Sequence, residues 1–142
     1  MNKVFIDSDI LIDYSKGYSQ ELDKFIKDQE KGNIQLYINP VVITEFFTDK
    51  NLRNLKKFEI AIEFISIFNQ VDITKNIGML AGKLLRENQT SYLGDALVAA
   101  TCINHDFLLV TGNTKHFKNI GELKFAQPTG VVKILKKISG KT

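Results

Sequence analysis

The sequence predicts an α/β protein, a three-layer α/β/α sandwich built around a central and mainly parallel sheet. Two observations carry this prediction. Short apolar segments of strand length alternate with longer segments whose apolar residues recur at helical spacing. The strand segments are also apolar on both faces, which is typical of parallel strands that helices cover on each side.

The first elements are predicted to be a strand, two helices and a second strand. Residues 3–7 (KVFID) form the first strand, and Ser8 can cap a helix in the segment DILIDYSK. Ser19 starts an amphipathic helix, QELDKFIKDQEK, which ends at Gly32. Residues 34–38 (IQLYI) then form the second strand.

The middle of the chain is predicted to be mostly helical. Asn39 and Pro40 combine a capping side chain with a proline suited to the first helical position, so VVITEFFTD should form a helix with Glu45 in its second turn. A longer helix is predicted over residues 52–68. A short strand, QVDI, follows it, and Thr74 caps the next helix.

The last elements are a buried helix and two strands. Residues 92–104 are rich in alanine and apolar almost all round, which predicts an interior helix with Asp95 in its first turns. Residues 107–111 (FLLVT) form an apolar strand, and a weaker strand, ELKFA, follows a polar segment.

Size and composition predict one soluble domain over residues 1–142, with 44% hydrophobic and 25% charged residues. No apolar run approaches the roughly 18 residues that span a bilayer, so we expect a cytoplasmic protein without a membrane partner. The single cysteine, Cys102, lies in an apolar run, which excludes an internal disulfide or a thiolate metal site. The net charge of +3 allows a polyanionic partner but does not identify one.

Acidic residues mark the expected site. Asp7 and Thr111 each end an apolar strand, and the carboxyl ends of parallel strands meet at one edge of a sheet. Glu45 and Asp95 begin helices and lie in apolar sequence. Buried carboxylates without a nearby lysine or arginine are costly, and a divalent cation relieves that cost. Oxygen ligands favour Mg²⁺ or Mn²⁺, which also suit phosphodiester hydrolysis.

Four motifs resemble those of the PIN-domain nucleases and, among these, the VapC-type toxins of bacterial toxin–antitoxin pairs. They are VFIDSDILIDY, PVVITEFF, DALVAATC and LLVTGNTKHF, in the family's order over nearly the whole chain. The resemblance implies a PIN-like sheet of about five strands and an Mg²⁺- or Mn²⁺-dependent endoribonuclease. It also implies a cognate antitoxin and a homodimer.

The same resemblance implies the roles of individual residues. Asp7 and Asp95 would hold the metal, and Glu45 would help directly or through water. Attack by a metal-oriented water would leave a 5′-phosphate. Many members carry a fourth acid where Asn113 and His116 stand here, and this departure favours one metal ion over two.

Several other polar residues are weighed against structural roles. Asn113 is a candidate catalytic residue, and Ser8, Thr111 and His116 are candidate contacts to the substrate or to the acids. Asp9 is expected to suit the N-terminal turn of its helix, which is a structural role.

Two other functions remain open at this point. The FIDSD segment has the DxD form of haloacid-dehalogenase-like phosphatases, although Asp95 precedes Thr111, the reverse of that family's order. The other alternative is a catalytically inactive PIN-like module that binds RNA or a protein. The departure at His116 motivates this alternative.

Overall fold

A computed structural model, which describes residues 2–131, shows a sheet of five strands. In chain order the strands are β1 (Asn2–Ile6), β2 (Ile34–Ile38), β3 (Asn69–Gln70), β4 (Leu108–Val110) and β5 (Phe125–Ala126). They lie in the order β3-β2-β1-β4-β5, and every neighbouring pair is parallel. The predicted three-layer α/β fold is therefore confirmed, with a sheet that is parallel throughout the described residues.

Helices connect the strands and cover the sheet. Those lying wholly within the described residues are α1 (Ser8–Ser15), α2 (Glu21–Glu30), α3 (Pro40–Phe46), α4 (Leu55–Ile65), α5 (Lys75–Arg86) and α6 (Leu93–His105). Two short 3₁₀ helices, Lys50–Arg53 and Thr114–His116, follow α3 and β4. No helix in residues 2–131 is long and apolar enough to cross a membrane.

The strand order determines where a site can form. From β1 the chain builds outward through β2 and β3 on one side, and β4 and β5 extend the sheet on the other side. The connections after β1 and after β4 therefore diverge at adjacent carboxyl ends, where open α/β sheets bind their ligands. This places the expected site at the carboxyl ends of β1 and β4.

Helix α6 is the interior helix that its composition predicts. Its alanines and Cys102 are buried, and small side chains allow neighbouring helices to approach closely. The buried side chain of Asn39 accepts a hydrogen bond from Val42 N at 3.1 Å and donates one to Thr101 Oγ1 at 2.9 Å. The predicted cap of α3 thus also ties α3 to α6.

Some predicted boundaries were wrong. Asp7, not Ser8, caps α1, because its carboxylate already accepts the Ser8 N–H. The helix predicted from residue 52 begins at Leu55, because a 3₁₀ turn precedes it and Asn54 supplies the cap. The third strand is only Asn69–Gln70, earlier than predicted. Residues 132–142 lie outside the described residues, so a single domain over the whole chain stays a prediction.

Candidate active site

Asp7 and Thr111 meet where β1 and β4 end, as the parallel sheet predicted. The Asp7 backbone N–H donates to Val110 O at 3.0 Å. The Thr111 hydroxyl donates to Asp7 Oδ2 at 2.8 Å, and the Ser8 N–H donates to Asp7 Oδ1 at 2.8 Å. Both carboxylate oxygens are therefore fixed, and Asp7 is only 5% exposed.

The surroundings of Asp7 oppose its negative charge. Its pKa is raised from 3.8 to about 7, chiefly by burial and then by the charge of Asp9. The hydrogen bonds from Thr111 and Ser8 lower this pKa, and the charge of Glu45 raises it further. No lysine or arginine forms a salt bridge with Asp7 within residues 2–131. In the described part of the chain, Asp7 is thus a buried acid without a compensating cation.

Glu45 belongs to the same site but is not buried. The Ser8 hydroxyl donates to Glu45 Oε1 at 2.9 Å and so links α1 to α3. The expectation of an apolar environment was wrong for this carboxylate, because the neighbouring Phe46 is buried while Glu45 is exposed. A Cβ atom on Gly94 would lie 3.5 Å from Glu45 Oε2, so Glu45 reaches the start of α6 beside Asp95.

Asp95 and His116 form a close pair at the other side of the site. The Asp95 Oδ2 and His116 Nδ1 atoms are 3.0 Å apart, and the two side chains are 22% and 41% exposed. Burial raises the pKa of Asp95, while His116 acts in the opposite direction without reversing the shift. His116 therefore contacts an acid of the site directly.

Asp9 is the residue whose place in the site the sequence did not reveal. The Gly112 N–H donates to Asp9 Oδ2 at 2.9 Å, and Oδ1 is buried without a hydrogen-bond partner among residues 2–131. Burial raises the pKa of Asp9. Its repeat at an interval of two from Asp7, in FIDSD, was the only sequence signal available.

The segment after β4 approaches the acids through its backbone. A Cβ atom on Gly112 would lie 2.6 Å from Asp9 Oδ2, so only glycine allows this approach. Asn113 donates its backbone N–H to Thr111 Oγ1 at 3.0 Å. The Asn113 residue is exposed, and its side chain does not cap the 3₁₀ helix that follows.

The donor set fits a hard divalent cation. Asp7, Asp9, Glu45 and Asp95 offer only oxygen ligands, and the buried, unpartnered Asp9 Oδ1 is an atom that a cation or its water would satisfy. Within residues 2–131, no group of three or more acidic, histidine or cysteine side chains is arranged to hold a metal ion. Mg²⁺ is suited to such a site, because it commonly keeps several waters and uses one or two carboxylates.

Residues 4–123 match the PIN domain family. The chain belongs to the PIN-domain family. Membership in this family gives no support to the phosphatase alternative, which rests on the DxD spacing of Asp7 and Asp9.

This PIN domain is similar over most of its length to ribonucleases of the VapC group. It is 30% identical to ribonuclease VapC10 of Mycobacterium tuberculosis, over 88% of this chain and 95% of the relative. It is 29% identical to ribonuclease VapC2 of Methanocaldococcus jannaschii, over 89% and 94% of the two chains. A toxin–antitoxin complex from Klebsiella pneumoniae has a chain of the same fold, with a TM-score of 0.71, 26% identity and coverage of 88% and 97%.

Proposed function

We propose that this PIN domain is an Mg²⁺- or Mn²⁺-dependent endoribonuclease and the toxin of a toxin–antitoxin pair. The observation that carries the proposal is the buried Asp7 carboxylate, which forms no salt bridge with any residue in 2–131 and lies within reach of the charges of Asp9 and Glu45. The ribonuclease names of the VapC relatives support the choice of RNA as the substrate. An RNA substrate would place the activity in the cytoplasm.

The roles of Asp7, Asp95 and Glu45 follow the resemblance to PIN-domain nucleases, and the role of Asp9 follows from its contacts. Asp7 and Asp95 would hold the metal, and Glu45 would contribute directly or through water. Asp9 would accept a hydrogen bond from a metal-bound water at its unpartnered Oδ1 atom. When bound, the metal supplies Lewis-acid activation of a water and neutralises charge on the scissile phosphate.

Two hydroxyl side chains and one histidine would hold these acids in position. Thr111 fixes one oxygen of Asp7, Ser8 orients Glu45, and His116 orients Asp95. Asn113 lies beside Thr111 and is free to hydrogen-bond a water or a phosphate oxygen. Asn113 brings no negative charge, and Asp9, the fourth acid of the site, is assigned to a metal-bound water, so we propose a single metal ion.

The proposed partner is a small antitoxin that covers the acidic site and the apolar surface nearby. Helix α4 exposes Leu55, Ile60 and Ile62, and exposed apolar patches commonly mark protein interfaces. Ile60 also lines a cleft with Tyr14 and Phe64. An antitoxin segment that is apolar over this cleft and cationic at the acids would match both surfaces. The predicted homodimer stays a prediction.

Cleavage of RNA by the purified protein tests the function. We expect single-stranded RNA to be cut with Mg²⁺ or Mn²⁺ and to be intact in EDTA. Asp7→Asn and Asp95→Asn should each lower kcat by at least about a hundred-fold, because each removes a charge from the metal site. Asp28→Asn is the matched control, since Asp28 is equally buried but lies in α2.

The outcome separates the proposed function from its alternatives. RNA binding without cleavage by the wild-type protein, at any divalent metal concentration, would establish an inactive PIN module. Turnover of an aryl phosphate that Asp7→Asn abolishes, with no RNA cleavage, would establish a phosphatase.

A further inference from the structure

An exposed aromatic pair lies beside the acidic site. Tyr92 immediately precedes α6 and is 59% exposed. Its ring centre lies 5.2 Å from that of His116, and the ring planes are inclined by 32°. His116 in turn contacts Asp95 Oδ2 at 3.0 Å. Ring contact and hydrogen bond thus connect an exposed tyrosine to an acid of the proposed metal site.

We infer that Tyr92, supported by His116, is a stacking platform for an RNA base next to the scissile phosphate. The inference rests on the proposed ribonuclease function and adds a residue that determines how the substrate binds. Proteins that bind single-stranded RNA stack its unpaired bases on aromatic side chains. Tyr92 has the exposed ring that such stacking needs, and His116 packs against that ring.

The platform is preorganised by its contacts. His116 is held by Asp95, and Asp95 lies in the first turn of a helix whose body is buried in the core. The His116 ring that supports Tyr92 is therefore already fixed before a base binds, so less conformational entropy is lost on binding. A base on Tyr92 would also place its phosphate close to the acids, since His116 contacts both Tyr92 and Asp95.

The surrounding charge favours RNA over a protein as the occupant. Lys115 and Lys118 are exposed on either side of His116 in the sequence, and lysines attract a phosphate backbone. Leu93, the residue after Tyr92, is also exposed and adds apolar area against which a base can pack. A base with its flanking phosphates matches this combination of aromatic, apolar and cationic side chains.

Direct binding of RNA tests the platform. Fluorescence anisotropy with a labelled single-stranded RNA, in EDTA to prevent cleavage, gives the Kd of each variant. We expect Tyr92→Ala to raise Kd about ten-fold, as alanine substitution of a stacking aromatic commonly does, and Tyr92→Phe to restore most of the affinity. Tyr18→Ala is the matched control, because Tyr18 is a 76% exposed tyrosine outside the site.

An abasic scan identifies the stacked base. A single abasic nucleotide is moved along the RNA, and Kd is measured for the wild-type protein and for Tyr92→Ala. At one position the two proteins should bind equally weakly, because the base that Tyr92 contacts is already absent. A merely structural role of Tyr92 would weaken binding by the same factor at every position, and this result would overturn the inference.

Two further results would also overturn it. One is an unchanged Kd in Tyr92→Ala. The other is a change of molecular mass in solution that accounts for the loss of binding, which would assign Tyr92 to a protein interface. Since Kd is measured without cleavage, an inactive wild-type protein would contradict the ribonuclease proposal while the binding measurement still decides the role of Tyr92.

Discussion

Thr111 donates a 2.8 Å hydrogen bond to the Asp7 carboxylate across 104 residues of sequence. The same hydroxyl accepts the backbone N–H of Asn113 at 3.0 Å, so its own proton is directed toward Asp7. A hydroxyl fixed in this way stabilises the charged form of the acid and lowers its pKa, against the effect of burial. Thr111 thus partly offsets the cost of keeping Asp7 ionised.

Replacing Thr111 by valine should shift the pH dependence of the activity to higher pH. Without the hydroxyl the pKa of Asp7 in the metal-free protein rises above about 7, so protons compete more strongly with the metal for this acid at neutral pH. We expect kcat/KM at pH 7 to fall about ten-fold and to recover partly at pH 9. Thr111→Ser keeps the hydroxyl and should retain the wild-type pH profile. A uniform loss across all pH values would contradict this role.

Neutralising Asp7 should stabilise the metal-free protein at alkaline pH. Because the pKa of Asp7 is raised on folding from 3.8 to about 7, its contribution to stability is greatest at low pH. That contribution is lost progressively as the pH rises from about 3.8 to about 7. Asp7→Asn should therefore raise the free energy of unfolding by about 1–3 kcal/mol at pH 8 and change it little at pH 4. Urea denaturation in EDTA at the two pH values measures the difference.

Divalent cations should stabilise the folded protein. A cation that binds only the folded chain adds stability that grows with its concentration above Kd. We expect the melting temperature to rise with Mg²⁺ or Mn²⁺, and to rise more at pH 8 than at pH 5, because protons compete for Asp7. The rise should be largely absent in Asp95→Asn and intact in Asp28→Asn. An equal rise in all three proteins would indicate nonspecific ion binding.

Adding one methyl group at Gly112 should disturb the acids without unfolding the chain. The new Cβ would lie 2.6 Å from Asp9 Oδ2, so the carboxylate must move and lose its bond to the backbone N–H. We expect Gly112→Ala to weaken Mn²⁺ binding about ten-fold by calorimetry, comparable to loss of an outer-shell partner. Gly121→Ala is the matched control, since no atom lies within 4 Å of its added methyl group. Unchanged Mn²⁺ affinity in Gly112→Ala would exclude Asp9 from the site.

The sequence predicts the contact between Asp7 and Thr111 because strand ends in a parallel sheet follow a simple rule. Each residue ends an apolar strand, and β1 and β4 are neighbours. Asp9 could not be placed in this way. An acid in the first turn of a helix satisfies a local rule, and nothing local shows that it also accepts the N–H of Gly112, a residue 103 positions away.

Helix caps show the same division between local and distant information. The Asn39-Pro40 pair predicts the start of α3 because capping depends on neighbours in sequence. The bond from Asn39 to Thr101 depends on how two helices pack, which the sequence pattern does not contain. The exposure of Glu45 was not predicted for a related reason. Residues adjacent to Glu45 in the sequence are apolar, but in a helix they point to a different face from Glu45.

The bond between Asn39 and Thr101 makes the spacing of two of the acids a property of the protein interior. It joins the helix that carries Glu45 to the helix that carries Asp95, and Asn39 is wholly buried. Moving these two acids apart would require breaking this buried hydrogen bond, which water does not reach. The separation of the two helices that carry these acids is therefore set by a contact in the core and not by the surface loops.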